Sequence, residues 1–238
     1  MAPVPEELRS RIGIIKDTLK GLTTCENPAA IFIGGGAASG KSKIREQVIK
    51  PLLEFPVATI DCDLIKDKLP EYKKRLKIDS ETAASYVHAK SKEIALEVID
   101  NCILNKYSFI YDTSLAAPPN EYQGLILRLK EAGYKLIIIG VYAPVEVALI
   151  RAEIRYQRTH RYIPEKWLKY FHEQFPKTFF VLEPQFDQLQ IWDNSMDHKA
   201  PILIAERVEQ LEIYDEERYN EFRNRGVDHE KNGSKRTP

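Results

Sequence analysis

A glycine-rich stretch near the N-terminus constrains the possible folds of this chain more than any other feature of its sequence. Residues 35–42 read Gly-Gly-Ala-Ala-Ser-Gly-Lys-Ser, and they lie between the apolar run 31–33 and a segment of helical period that begins near Lys43. A strand, a glycine-rich turn and a helix in this order bring backbone N–H groups together at a helix N-terminus, where they bind phosphate oxygens. The motif therefore predicts a nucleotide-binding P-loop.

The rest of the chain alternates between apolar runs bounded by turn residues and longer segments of helical period, which predicts a parallel sheet wrapped by helices. The predicted strands are 29–33, 57–60, 109–111, 135–142 and 189–192. The predicted helices are 5–21, 42–54, 81–104, 119–132, 144–159, 164–182 and 200–223. We expect an α/β fold of the P-loop NTPase kinase type with a five-stranded, mostly parallel sheet. It forms one domain over residues 1–226, followed by a disordered polar tail over 227–238.

Charge and cysteine usage exclude several classes of protein. The 35 basic and 35 acidic residues balance, so no overall field attracts nucleic acid or an anionic membrane. The three cysteines, Cys25, Cys62 and Cys102, are far apart and form no metal-binding pattern. The N-terminus has no apolar core of a secretory signal, and no apolar run is long enough to span a membrane. We therefore expect a cytoplasmic protein that binds neither nucleic acid nor a membrane.

The residues of the P-loop predict how ATP is held. Lys41 is expected to reach the β- and γ-phosphates, and the Ser42 hydroxyl is expected to bind Mg²⁺. ATP and Mg²⁺ are thus the expected cofactors. The predicted ATP-binding residues of the loop are Gly35, Gly36, Ala37, Ala38, Ser39, Gly40, Lys41 and Ser42.

Acidic residues follow two of the predicted strands. Asp61 and Asp63 come after the run 57–60, and Asp112 comes after the run 109–111. In open parallel sheets the ligand crevice lies at the carboxyl ends of the strands, where an aspartate can bind Mg²⁺ or accept a proton from a substrate hydroxyl. We predict that Asp63 is the base and that Asp112 supports the metal. For Asp61 the alternative is a turn-capping role.

A basic segment over residues 151–164 is predicted to form a lid. Arg151, Arg155 and Arg158 share one helical face, so their guanidinium groups can converge on a migrating phosphoryl group. A solvated cationic helix is the alternative for Arg151 and Arg158. The later segment 190–195 is similar to the last strand and turn of small P-loop kinases, where the adenine ring commonly lies, which makes Asn194 a further candidate for ATP binding.

Several of these motifs resemble those of the zeta toxin family, from the N-terminal helix to about residue 182. The segment 28–35, Pro-Ala-Ala-Ile-Phe-Ile-Gly-Gly, looks like the family's entry into the P-loop, and Asp-Cys-Asp at 61–63 with Pro70 downstream is similar to its acidic pair. Ile-Arg-Tyr-Gln at 154–157 and Arg-Tyr-Ile-Pro at 161–164 resemble its Glu-Arg-Tyr-Glu and Arg-x-x-Pro elements.

The resemblance implies a P-loop kinase that phosphorylates UDP-N-acetylglucosamine and so poisons cell-wall precursor synthesis. It implies that Asp63 is the catalytic base and that Arg155 and Arg161 stabilise the transferred phosphate. It also implies a nucleotide-sugar substrate and raises a protein antitoxin as a partner.

The chain departs from the family pattern at the acceptor site. The family's Glu-Gly-Thr turn corresponds to Asp112-Thr113-Ser114, which makes Asp112 and Ser114 candidates for substrate binding. A family glutamate that contacts the amino-sugar corresponds to Glu93 or Glu97, and we prefer Glu97.

Other functions are compatible with the same motifs. A kinase for an antibiotic, a dinucleotide or a nucleic-acid 5′ end is one alternative, although the neutral net charge disfavours the last of these. A nucleotide-hydrolysing switch and a binding protein without activity are the others, but Lys41, Ser42 and Asp63 favour transfer.

Overall fold

The computed structural model describes residues 5–225 of the chain. The predicted tail, 227–238, lies outside the described residues. The strands are β1 (Ala29–Gly34), β2 (Ala58–Asp61), β3 (Phe109–Asp112), β4 (Lys135–Tyr142), β5 (Gln188–Asp193), β6 (Ile202–Arg207) and β7 (Leu211–Ile213). They form one sheet in the order β2-β3-β1-β4-β5-β6-β7. The strands β1 to β5 pair in parallel, whereas β6 pairs antiparallel with β5 and β7 pairs antiparallel with β6. The predicted α/β class is confirmed, with seven strands rather than five.

Helices cover the sheet on both faces. They are α1 (Glu6–Leu19), α3 (Cys62–Lys68), α4 (Pro70–Leu76), α5 (Ser80–Tyr86), α6 (His88–Asn105), α7 (Asn120–Glu131), α8 (Val145–Thr159), α9 (Glu165–Leu182) and α10 (Glu216–Arg225). The helix after the P-loop, α2, starts as Lys41–Ile44, continues as a π-helical turn over Arg45–Ile49 and ends with Lys50–Leu52. No helix of the described region is long and apolar enough to cross a membrane.

The core explains why β1 occupies the centre of the sheet. All six residues of this strand are buried, as expected for a parallel strand covered on both faces. Phe32 belongs to the larger apolar cluster on one face, and Ile31 and Ile33 belong to a smaller cluster on the other. The P-loop therefore follows a strand that is buried at the centre of the sheet.

Two of the predicted helices are wrong in detail, and two observed helices were not predicted. The predicted helix 200–223 is instead a β-hairpin, formed by β6 and β7, followed by the shorter α10. The run Ile-Leu-Ile-Ala after Pro201 pairs with β5, so sheet formation there overrides the helical pattern. The predicted helix 81–104 is divided at Val87, whose φ of −103° and ψ of 8° are not helical. Two short helices, α3 and α4, follow β2 without having been predicted, and Pro70 starts the second of them.

Candidate active site

The P-loop joins β1 to α2 in a tight turn. Gly40 precedes the helix with a φ of +94°, a left-handed conformation that glycine adopts without steric cost. A Cβ atom on Gly35 would lie 2.7 Å from both the Ser39 hydroxyl oxygen and the Val141 carbonyl oxygen. Only glycine fits at these positions, so the sequence of the loop is dictated by its curvature.

The loop has the chemistry of a phosphate site. The first N–H groups of a helix lack partners within the helix, and those of α2 open onto the loop. The Lys41 ammonium group donates to the carbonyl oxygens of Gly35 and Gly36 at 2.9 and 3.3 Å, which places its charge inside the curve of the loop. The buried hydroxyl of Ser39 has no hydrogen-bond partner among the described residues. Polar groups that face the loop in this way fit a bound nucleotide phosphate.

Two predicted residues support the loop from behind. The Asn194 side chain donates to the Ser39 carbonyl oxygen at 2.9 Å, and Arg151 donates to the Asn194 carbonyl oxygen at 2.8 Å. A Cβ atom on Gly40 would lie 1.9 Å from the Asn194 side-chain nitrogen, so the two residues are in close contact. The predicted ATP-binding residue Asn194 thus lies at the P-loop and holds its backbone. Arg151 has the same structural task instead of belonging to a purely solvated face.

Sequence reasoning missed His172, which packs under the loop from α9. Its Nε2 atom lies 2.8 Å from the Ala37 carbonyl oxygen, and a Cβ atom on Gly36 would lie 2.2 Å from the ring. Burial lowers the pKa of this histidine, which favours the neutral ring. No motif in the sequence connects residue 172 with the P-loop, because the contact depends on how α9 packs.

The parallel register brings the predicted carboxylates together. Asp112 is aligned with Ile33 of β1 on one side and with Asp61 of β2 on the other. These strands are neighbours in the sheet, so Asp61 and Asp112 both lie next to the strand that enters the P-loop. The side chain of Asp61 accepts a hydrogen bond from the Asp63 N–H at 2.8 Å, which caps α3, as the alternative reading of Asp61 predicted.

Arg45 joins the two strand-end carboxylates. Its guanidinium group is buried within α2, and its Nη1 atom lies 2.9 Å from Asp61 and 2.5 Å from Asp112. Burial raises the pKa of Asp112 to about 7, against the opposing effect of Lys41 and Arg45. Sequence reasoning did not identify Arg45, although its position four residues after Lys41 places it one helical turn further along.

Cations surround Asp63. The Lys66 ammonium group lies 3.1 Å from one carboxylate oxygen, and an Arg161 guanidinium nitrogen lies 3.7 Å from the other. Although burial would raise the pKa of Asp63, Lys66 and Arg161 hold it below its usual range. Arg161 also forms a close ion pair with Asp67 and donates to the Asp63 backbone carbonyl at 3.4 Å. The structure therefore places two of the predicted residues, Asp63 and Arg161, in one group.

The predicted arginines of α8 differ in their surroundings. Burial lowers the pKa of Arg155, and this arginine interacts electrostatically with both Asp63 and Arg161. Its Nε atom is buried and has no hydrogen-bond partner among the described residues. Arg158 is exposed, which agrees with the solvated alternative. Arg155 is consequently the arginine of this helix whose charge acts on Asp63.

The remaining substrate-binding candidates have other partners. Glu97 forms a two-point ion pair with Arg11 of α1, at 2.8 and 2.5 Å, and Glu93 lies 3.5 Å from the same arginine. The structure does not group either glutamate with Asp63. The Ser114 carbonyl oxygen accepts a hydrogen bond from the Gly35 N–H at 3.3 Å, so Ser114 lies against the P-loop.

The donor set at the strand ends fits Mg²⁺ to a limited extent. Ser42 supplies an exposed hydroxyl and Asp112 a carboxylate, one oxygen of which already contacts Arg45. No group of three or more acidic, histidine or cysteine side chains suited to a metal ion occurs within residues 5–225. Mg²⁺ commonly keeps several waters and binds one or two protein ligands together with substrate phosphates, and one hydroxyl with one carboxylate is compatible with that kind of site.

The fold and this site define a P-loop kinase. The model of the zeta toxin family matches residues 14–218. The chain therefore belongs to the zeta toxin family, and it is an ATP-dependent phosphotransferase. No curated protein sequence matches the chain significantly.

Solved structures share this fold at low sequence identity. A chain of the PezAT chromosomal toxin–antitoxin system of Streptococcus pneumoniae has a TM-score of 0.71 and 16% identity, covering 88% of this chain and 83% of that one. A structure of AvrRxo1-ORF1:AvrRxo1-ORF2 with sulphate ions has a TM-score of 0.73 and 17% identity, covering 94% and 75%. The same pair with ATP has a TM-score of 0.68 and 17% identity, covering 94% and 71%. At such identities the likeness establishes the fold.

Proposed function

We propose that this chain transfers the γ-phosphate of ATP to a sugar hydroxyl of a nucleotide sugar of the UDP-N-acetylglucosamine type. The observation that carries the proposal is the position of Asp63, which follows the strand-end residue Asp61 and lies among the cations Lys66, Arg155 and Arg161. Arginines that offset phosphate charge also serve nucleotide-hydrolysing switches, but such a switch needs no carboxylate to accept a proton from a substrate hydroxyl. The zeta toxin family supports the choice of substrate class.

The P-loop would hold the nucleotide. Backbone N–H groups of residues 35–42 would bind the phosphate oxygens, and Lys41 would leave the Gly35 carbonyl oxygen to contact the β- and γ-phosphates. Ser42 and Asp112 would hold Mg²⁺, which neutralises phosphate charge when bound. Asn194 and Arg151 would keep the loop in shape through Ser39. The ATP-bound AvrRxo1-ORF1:AvrRxo1-ORF2 structure, which shares the fold, supports this use of the loop.

Asp63 would orient the acceptor hydroxyl and take its proton. Its lowered pKa keeps the carboxylate ionised, so it is ready to accept a hydrogen bond from the hydroxyl. In a loose transition state little proton transfer is needed before the phosphoryl group moves, so a weakly basic carboxylate is adequate. Arg155 and Arg161 would offset negative charge on the migrating group. Asp112 and Ser114 would contact the acceptor from the neighbouring strand end.

The test is transfer of radiolabelled phosphate from ATP to UDP-N-acetylglucosamine. Asp63→Asn should reduce transfer by about 10²- to 10⁴-fold, because it removes the proton acceptor and keeps the size of the side chain. Asp100→Asn is the matched control, since Asp100 forms a surface ion pair with Arg128 and should leave the rate unchanged. Undiminished transfer in Asp63→Asn would remove Asp63 from this role. Hydrolysis of ATP at the same rate with and without every acceptor would refute the transfer reaction.

We also propose a protein antitoxin as a partner. Two of the similar structures are described as a toxin–antitoxin system and as a two-protein complex. Co-expression with a candidate antitoxin should yield a complex that lacks phosphotransferase activity. A complex with full activity would contradict an inhibitory partner.

A further inference from the structure

Lys66 is unusual among the lysines of the described region. Its residue is 8% exposed, and it is the one lysine in this part of the chain that is buried. Burying an ammonium group removes its hydration, which is unfavourable unless a partner compensates. The charged partner is Asp63, three residues earlier in α3, at 3.1 Å. An exposed pair at this spacing adds little to helix stability, so helix stability alone does not account for a buried lysine here.

The two oxygens of the Asp63 carboxylate have different partners. Lys66 contacts Oδ1 at 3.1 Å, while Arg161 lies 3.7 Å from Oδ2. Arg161 is shared with Asp67, its closer partner, so it is the weaker of the two constraints on Asp63. Lys66 has no competing carboxylate among the ion pairs of the described residues. The carboxylate plane is therefore fixed mainly by Lys66, and Oδ2 is the oxygen left for a hydroxyl group.

We propose that Lys66 is a positioning residue that holds the Asp63 carboxylate in its orientation for accepting the substrate hydroxyl. This inference rests on the proposed role of Asp63. Lys66 itself contacts the carboxylate and not the reacting atoms. It acts through Asp63 in the way that residues supporting a reactive group fix its orientation and its charge.

The same contact predicts a pH dependence. The groups that face Asp63 from the surrounding elements are Asp61, Lys66, Asp67, Tyr72, His88, Asp112, Arg155 and Arg161. Among the cations, Lys66 lowers the pKa of Asp63 most. Removing its charge should raise that pKa, so that Asp63 becomes protonated at a higher pH and the acid limb of the rate profile moves upward.

The experiment compares Lys66→Met with Lys66→Arg, and with Lys68→Met as the matched control. Lys68 lies on the same helix but is 44% exposed, and its partner is Asp17 at 3.6 Å. The titration of Asp63 is followed by NMR of carbon-13 labelled aspartate carboxyl groups in the full chain without substrate, with Asp63→Asn used for assignment. The transfer rate is then measured as a function of pH.

Lys66→Met should move the Asp63 titration and the acid limb to higher pH and lower kcat by about tenfold or more, with the KM for ATP unchanged. Lys66→Arg should restore most of the wild-type Asp63 titration and most of kcat, and Lys68→Met should match the wild type in both measurements. If Asp63 titrates at the same pH in Lys66→Met as in the wild type, the proposal is overturned. Lys66→Gln provides the same measurement if the methionine variant does not fold. The titration needs no acceptor, so it decides the role of Lys66 separately from wild-type transfer, whose absence would refute the proposed function.

Discussion

Replacing Arg45 by methionine should destabilise the protein strongly. The Arg45 side chain is 4% exposed, and its two aspartate partners are 14% exposed at Asp61 and 5% exposed at Asp112. Methionine preserves most of the apolar stem but leaves both carboxylates without their buried cation. Breaking a buried ion pair by removing one partner costs about 3–5 kcal/mol, which is a large part of the roughly 5–15 kcal/mol that stabilises a typical domain.

Urea unfolding monitored by tryptophan fluorescence and circular dichroism measures this loss. Lys50→Met is the matched control, because Lys50 shares the partner Glu46 with Arg45 but is 31% exposed. Exposed ion pairs contribute about 0–1 kcal/mol, so the control should remain close to the wild type. Adding Asp112→Asn to Arg45→Met should recover part of the loss, since a neutral amide replaces the unpaired carboxylate. An Arg45→Met variant as stable as Lys50→Met would refute a buried ionic role for Arg45.

Three further predictions concern the stability of the fold. Because the pKa of folded Asp112 is raised to about 7, well above the value of about 3.9 of an unfolded aspartate, its contribution to stability is complete below about pH 4 and is lost as the pH rises through about 7. The free energy of unfolding of Asp112→Asn relative to wild type should therefore improve from pH 4 to pH 8, and a constant difference would contradict this. Gly36→Ala should cost about 1–3 kcal/mol through its clash with His172, and His172→Ala in the same chain should relieve part of it. The exposed helical Gly124 has no atom within 4 Å of an added Cβ, so Gly124→Ala should instead stabilise by about 0.5–1 kcal/mol in the same thermal or urea measurement.

Local patterns in the sequence predicted the centre of the fold better than its edge. The five predicted strands correspond to β1 to β5, because long apolar runs bounded by turns are typical of buried parallel strands. β6 and β7 were missed, since β6 is partly exposed and β7 is exposed throughout. They become strands because β6 pairs with β5 and β7 pairs with β6. The helices α3 and α4 are short, and the proline between them ends the periodicity that would have indicated one longer helix.

In the candidate site, too, local motifs could be predicted from the sequence, whereas contacts between distant segments could not. The P-loop and the strand-end carboxylates could be predicted, because motif order and parallel topology fix where they lie. His172 could not be predicted, because its contact with Ala37 joins segments 135 residues apart. Glu97 was preferred as a substrate contact from the family resemblance, but a resemblance in sequence does not reveal that α1 places Arg11 beside it. The spacing of three residues between Asp63 and Lys66 indicates an ion pair on one helix. Only the burial of Lys66 in the structure distinguishes this pair from a surface ion pair.

The electrostatics of the strand ends separate the two aspartates that could have been confused as the base. Asp63 is held below its usual pKa by nearby cations, whereas burial raises the pKa of Asp112, so Asp112 becomes protonated at a higher pH than Asp63. An acceptor hydroxyl needs an ionised partner that is also accessible, and the Asp63 side chain is 44% exposed while that of Asp112 is 5% exposed. Asp112 forms an ion pair with Arg45 instead. Arg45 also pairs with Asp61, so it links α2 to the ends of β2 and β3. The different burial of the two aspartates and the cations around Asp63 thus support the proposed role of Asp63 as the base, and they predict that its replacement should reduce transfer without unfolding the chain.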